Sequence, residues 1–196
     1  MKTVTTLVVL ILVLTSFSIA QEHQRRLVQF QMAIMKKGSK WDSTKEGERK
    51  QILQQHLANV LSLLDSGKAV ITGPFRDDTD LAGIFILRAS STAEAKSWVD
   101  ADPAVKSGLM VPEMHPWWSE DIFKKANSPL KLNTVYFAFL KRGPNRKDGD
   151  DKNPEIQELQ KAHIANIQRL AKLGKLVAAG PFGDNGDLRE IGRAHV

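Results

Sequence analysis

Few side chains in this chain are available for chemistry. Its 196 residues include five histidines and no cysteine, which removes thiol nucleophiles, Cys-zinc and iron–sulfur sites, disulfides and cysteine lipidation. Two of the histidines recur in the same local setting, His56-Leu57-Ala58-Asn59 and His163-Ile164-Ala165-Asn166. An imidazole with one nitrogen held by a carboxylate has a fixed tautomer and offers the other nitrogen as a base near neutral pH. His56 and His163 are therefore the candidates for acid/base work, beside the plainer reading of two satisfied histidines on an apolar helix stripe. No histidine has metal-ligand spacing with carboxylates, and neither a glycine-rich phosphate loop nor a Gly-x-Ser-x-Gly elbow occurs. No metal and no cofactor are expected.

The elements that must position these histidines come in two copies. His56 to Asn59, Gly67-Lys68, Gly73-Pro74-Phe75 and Asp80-Leu81 all recur 107 positions later, as His163 to Asn166, Gly174-Lys175, Gly180-Pro181-Phe182 and Asp187-Leu188. Upstream, Met35-Lys36-Lys37-Gly38 matches Leu140-Lys141-Arg142-Gly143 at an offset of 105, so the second copy has a loop two residues longer. Such self-similarity reads as a tandem duplication, with modules at 27–118 and 134–189 and a linker at 119–133 that contains Ala126-Asn127-Ser128-Pro129.

Each copy opens with apolar residues at a spacing of two (Val28, Phe30, Met32, Ile34; Val135, Phe137, Phe139), which predicts a strand with one buried face. A helix follows. In the first copy Ser43-x-x-Glu46 has the capping-box pattern, and Gly67 stands where a left-handed residue ends the helix. In the second, Asn153-Pro154 supplies cap and first turn and Gly174 the end. The first copy continues through strands at 69–72 and 83–87, a helix capped by Ser91-x-x-Glu94, and a strand at 109–117. The order β-α-β-β-α-β is the split βαβ unit of α+β ferredoxin-like domains.

The two ends read differently from the middle. A basic Met1-Lys2, an apolar run over 7–14 and a small-x-small Ser18-Ile19-Ala20 form a signal-peptide pattern over residues 1–20. The mature chain is then expected to start at Gln21, secreted or periplasmic, with no membrane contact after cleavage. The charge of +6 arises from 28 Lys and Arg against 22 Asp and Glu, a mixed surface with no nucleic-acid partner expected. At the other end the homology stops at Arg189, and residues 190–196 spell what a common sequencing-library adapter encodes when read as GAG ATC GGA AGA GCA CAC GTC followed by a stop. The tail is thus expected to replace a native continuation through a third strand, a second helix and a fourth strand. A chain without those elements is expected to be poorly soluble or to borrow strands from another copy.

His56-Leu57-Ala58, Gly67-Lys68, Gly73-Pro74-Phe75 and Ala101-Asp102-Pro103-x-Val105-x-x-Gly108 together resemble the YciI-like (YCII-related) family, over the whole first copy and over the second from about 133 to 189. The resemblance implies a dimeric α+β barrel, in which two ferredoxin-like sheets pack face to face around a small-molecule pocket. It also implies a His-Asp acid/base pair acting on a small cyclic compound, in a lyase or isomerase type of reaction. In this chain the pair would be His56 with Asp102, and His163 in the second copy. His56 lies 13 residues after Ser43 and Asp102 lies 11 after Ser91, so on parallel helices the two sit within roughly 3 Å in height. Asp65, nine residues beyond His56, points to the opposite helix face. Asp102 before Pro103 is equally suited to cap a short turn. Gly73, Pro74, Phe75, Gly180, Pro181 and Phe182 are the candidate substrate-binding residues, or simply the strand ends that plug the barrel. Self-association through sheet faces, within one chain or between two, is expected in either case. A non-catalytic exported binding or assembly module is the alternative function.

Overall fold

The structure, a computed structural model, describes residues 26–125, 133–147 and 149–194. Residues 1–25 with the whole signal-peptide segment, residues 126–132 with all of the linker's Ala126-Asn127-Ser128-Pro129, residue 148 and the last two residues lie outside the described residues. In the first copy the elements are β1 (Leu27–Lys37), α1 (Glu46–Asp65), β2 (Ala69–Pro74), β3 (Leu81–Leu87), α2 (Thr92–Asp100), α3 (Pro103–Lys106) and β4 (Met110–Glu120). The four strands form one antiparallel sheet in the order β2-β3-β1-β4. The expected β-α-β-β-α-β order holds, with α3 as an added turn.

β1 is buried on both faces rather than on the one that its apolar spacing predicts. Phe30, Met32 and Ile34 pack against the second sheet, while Ala33 and Met35 pack against the helices, and the run from Phe30 to Met35 is buried throughout. The reason is position: β1 is a central strand with helices on one side of its sheet and another sheet on the other, and such a strand has no wet face.

Helix starts follow local chemistry with one exception. Ser91 Oγ accepts a hydrogen bond from the Glu94 amide at 3.1 Å, and the Glu94 carboxylate accepts from the amide and hydroxyl of Ser90. Asn153 caps the second-copy helix by accepting from the Glu155 amide, with Pro154 in the first turn. Ser43, however, does not cap α1. The amide and hydroxyl of Thr44 both turn back to the Lys40 carbonyl, so the chain makes one more turn and the helix begins after Lys45 without a side-chain cap. Gly67 and Gly174 do take the left-handed conformation after their helices, at φ 74° and 66°.

The second copy forms β5 (Tyr136–Lys141), α4 (Pro154–Lys172), β6 (Leu176–Pro181) and β7 (Leu188–Ala194). Its three strands are ordered β5-β7-β6, the counterpart of β1-β3-β2, and the registers correspond: Pro74 opposes Gly83 as Pro181 opposes Glu190. Most of the residues after Arg189 thus lie in β7. They put Glu190, Gly192, Arg193 and Ala194 where β3 has Gly83, Phe85, Ile86 and Leu87. The packing reflects the difference. α1 buries Val60, Leu63 and Leu64, whereas α4 has no buried residue. Arg193 sits partly desolvated, with its Nε buried and without a hydrogen bond, and burial pushes the guanidinium pKa down.

The inner faces of the two sheets meet in one apolar layer of Phe30, Met32, Ile34, Ile84, Ile86 and Trp117 from the first and Ala178, Phe182 and Ile191 from the second. A separate layer, which includes Phe85, Leu87, Val99, Ala104 and Leu109, lies between the first sheet and its helices.

Restoring the β3 pattern in β7 should stabilise the second copy. Replacing Gly192, Arg193 and Ala194 with Phe, Ile and Leu adds side chains that are each worth about 1.5–3 kcal/mol when buried, and the only close neighbour of a Cβ at Gly192 is the flexible end of Leu176, at 3.4 Å. The expected result is a higher melting temperature in calorimetry. An unchanged or lower one would contradict this account of why α4 is loosely held.

Candidate functional site

The site begins with the Asp102-Pro103 step. Asp102 has extended backbone geometry and caps α3, its Oδ1 accepting from the Ala104 amide at 2.8 Å, and Pro103 takes the first turn, where no amide is needed. The carboxylate is thereby fixed and fully buried. A buried anion requires partners on its remaining lone pairs, and α1 supplies two. His56 Nδ1 lies 2.9 Å from both carboxylate oxygens, and Asn59 Nδ2 donates to Oδ2 at 2.7 Å. The two readings of Asp102, helix cap and histidine partner, therefore hold at one carboxylate. Because α1 starts at Glu46, His56 stands 11 residues past its cap, as Asp102 does past Ser91, and the heights match more closely than a start at Ser43 implies.

Electrostatics follow from these contacts. Burial alone would raise the Asp102 pKa, but the hydrogen bond and charge of His56, together with the bonds from Asn59 and the Ala104 amide, outweigh it and hold the carboxyl below its ordinary value. His56 also meets the edge of Phe85 at 6.1 Å between ring centroids. Its side chain is 19% exposed, and its Nε2 has no hydrogen-bond partner among the described residues. With Nδ1 occupied by a carboxylate, the neutral ring carries its proton on Nδ1 and a lone pair on Nε2.

The position of the pair differs from what the family resemblance implies. Phe85 and Ala104 belong to the layer between sheet and helices, so His56 and Asp102 lie on the helical side of the sheet, whereas Phe30, Met32, Ile34 and Trp117 pack between the two sheets. The two Gly-Pro-Phe segments are in that other layer. Phe75 meets Phe137 and Phe139 at 6.0 and 6.1 Å, and Phe182 meets His115 at 5.2 Å. Among the described residues, no hydrogen bond or ring contact joins Gly73, Pro74, Phe75, Gly180, Pro181 or Phe182 to the His56–Asp102 pair.

In the second copy His163 has a different partner. Its Nε2 lies 2.6 Å from Glu190 Oε2 on β7, so the opposite ring nitrogen is engaged and the carboxylate comes from the terminal segment. Asn166, the counterpart of Asn59, accepts from Arg169 instead.

Two features of the molecule go beyond what the residue patterns suggested. Asn59 is a third member of the His56–Asp102 group, and its recurrence as Asn166 three residues after the histidine was the available signal. The other is His115, buried on β4 and bracketed by carboxylates, with Nδ1 2.7 Å from Asp184 and Nε2 3.2 Å from Glu113, which Lys36 also pairs. Asp184 lies 69 positions away in the other copy, and no local spacing announces it.

Comparison with known proteins agrees with this architecture. Two mutants of chlorite dismutase from Candidatus Nitrospira defluvii are similar in structure. One matches with a TM-score of 0.51 at 11% identity, covering 85% of this chain and 75% of its own. The other has a TM-score of 0.48 at 11% identity, covering 87% and 76%. At such identity the first likeness speaks for the fold alone. No curated protein sequence matches. Residues 31–117 match the YCII-related domain. That match runs from within β1 to within β4, around the His56–Asp102 pair, and covers less than half of the chain.

Proposed function

We propose that His56 is a general acid/base for a small cyclic substrate, oriented by Asp102, in a lyase or isomerase type of reaction. The observation that carries this reading is the bond from His56 Nδ1 to a buried carboxylate at 2.9 Å, which leaves Nε2 as the basic atom. Nε2 takes a proton from the substrate. It then returns that proton at another atom in an isomerisation, or keeps it while a leaving group departs with its bonding electrons. Asp102 stabilises the imidazolium formed in between and holds the ring in place. The substrate reaches Nε2 from the side of α1, since the layer between the sheets is filled by side chains. The pattern of residues 1–20 supports export, with the reaction taking place outside the cytoplasm.

A second reading, a non-catalytic exported binding or assembly module, is favoured by one observation: Asp102 also caps α3, so its burial has a structural use whether or not chemistry occurs.

Two variants separate the readings. His56→Ala and Asp102→Asn should each abolish turnover of cyclic candidate substrates while costing less stability than the roughly 2–5 kcal/mol of a large core truncation. Thermal melts beside ligand titrations check this, and a steep melting loss with ligand binding intact would overturn the catalytic reading.

Asp102 also has a pH signature. Its folded pKa lies below the ordinary value of 3.8, so its contribution to stability is complete above the carboxylate range and is lost as pH falls through the folded pKa. The stability difference between the native chain and Asp102→Asn should therefore shrink from about pH 5 to about pH 2. Denaturant unfolding across that range measures it, and a constant difference would contradict the role given to the buried anion.

A further inference from the structure

The segment between β6 and β7 is tied down at both ends and loose in the middle. On one side the Gly183 amide donates to the Pro116 carbonyl of β4 at 2.6 Å, and Asp184 Oδ2 lies 2.7 Å from Nδ1 of His115 on the same strand. On the other side the Asp187 carbonyl accepts from the Arg142 amide, just past the end of β5, at 2.8 Å. Between these anchors Asn185 and Gly186 are exposed and lie outside the β6–β7 ladder.

The chain has seven asparagines, and Asn185 is the one followed by glycine. The carboxamide of an asparagine can be attacked by the next backbone nitrogen to close a succinimide ring, and glycine, with no Cβ, presents the least obstructed nitrogen for that approach. Here the nitrogen is also weakly held. The Gly186 amide has Asp184 Oδ1 as its acceptor at 3.3 Å, longer than an ordinary N–H···O bond. The first copy lacks the reactive pair. Its corresponding residues are Asp78 and Thr79, and Thr79 is engaged through its hydroxyl with Asp77 at 2.9 Å and through its carbonyl with Lys37 at 2.8 Å. The loop nevertheless closes in the same way there, the Lys37 amide donating to the Asp80 carbonyl at 2.8 Å as Arg142 does to Asp187. This closure belongs to the repeat, and an aspartate at the position of Asn185 is compatible with it.

We propose that Asn185-Gly186 is a site of spontaneous deamidation that acts on the joint between the two copies. The Gly186 nitrogen attacks Asn185 Cγ. The N–Cγ bond forms, the Cγ–Nδ2 bond breaks, and the Gly186 amide proton leaves with Nδ2 as ammonia. Water then opens the succinimide at one of its two carbonyls. Opening at the side-chain carbonyl gives aspartate, the residue that the first copy carries as Asp78. Opening at the main-chain carbonyl gives isoaspartate, which routes the backbone through Cγ and adds one carbon between the anchors at Asp184 and Asp187. The aspartyl product keeps the loop as it is. The isoaspartyl product displaces Asp184 from His115 and loosens the Gly183–Pro116 bond.

The test is peptide mapping by mass spectrometry of the full chain, kept at mildly alkaline pH and sampled over days. The expected result is exchange of the carboxamide for a carboxyl at Asn185 ahead of every other asparagine, with both aspartyl and isoaspartyl products. Gly186→Ala should react at least about tenfold more slowly. It should fold normally, because Gly186 is not among the glycines with positive φ and a Cβ there meets only the flexible Asp184 carboxylate, at 3.3 Å. Asn185→Asp should keep the melting temperature and the hydrogen-exchange protection of the Gly183 amide, whereas the isoaspartyl chain loses that protection. No reaction at Asn185, or a folded Gly186→Ala that reacts as fast as the native chain, would overturn the site. Full protection of Gly183 in the isoaspartyl chain would overturn its effect on the joint.

Discussion

A carboxylate with no water around it must be surrounded by donors, and Asp102 imposes that condition on the whole first module. Its three partners come from different places: the Ala104 amide from the turn that Asp102 itself caps, and His56 and Asn59 from α1, more than forty residues earlier. The carboxylate thus ties α1 to the α2–α3 corner at one point, and the layer of Val99, Ala104, Leu109 and Phe85 packs around that point. Removing one partner leaves the carboxylate its other two donors, and costs less than the loss of a large core side chain. The same condition sets the tautomer of His56, so what holds the corner together also leaves a basic nitrogen at its edge.

The second copy pairs its histidine differently. There is no counterpart of Asp102 among the described residues, and His163 turns its other nitrogen to Glu190. With no large side chains at Gly192 and Ala194, α4 has no buried residue. What holds the two copies together is β4, which completes the first sheet and reaches across to β6 through Trp117. One strand serves both as the edge of the first sheet and as its link to the second.

Much of this was legible in the residues because it is local. The caps at Ser91, Asp102 and Asn153, the left-handed glycines at 67 and 174, and the strand and helix order all depend on neighbours within a few positions. The recurrence of Gly73-Pro74-Phe75 as Gly180-Pro181-Phe182 extended that reach, and Pro74 and Pro181 indeed take corresponding places in their sheets. Contacts between distant segments were less accessible. Burial of both faces of β1 depends on a second sheet that β1 does not encode. The Ser43 pattern is a sound cap in isolation and loses to the Lys40 turn, which meets the same backbone needs one turn earlier. The pairing of His56 with Asp102 could be reached by comparing heights along two helices, but the side of the sheet on which the pair lies follows from what covers each face. That is a property of the assembled layers.

The account rests on the state of one imidazole. Nitrogen-15 NMR of the neutral His56 ring reads it directly. The expected spectrum has Nδ1 protonated and coupled through its hydrogen bond to Asp102, with Nε2 in the unprotonated range. Asp102→Asn should abolish the Nδ1 signature. A ring protonated on Nε2 and bare at Nδ1, or one unchanged by Asp102→Asn, would contradict the orientation on which the proposed chemistry depends.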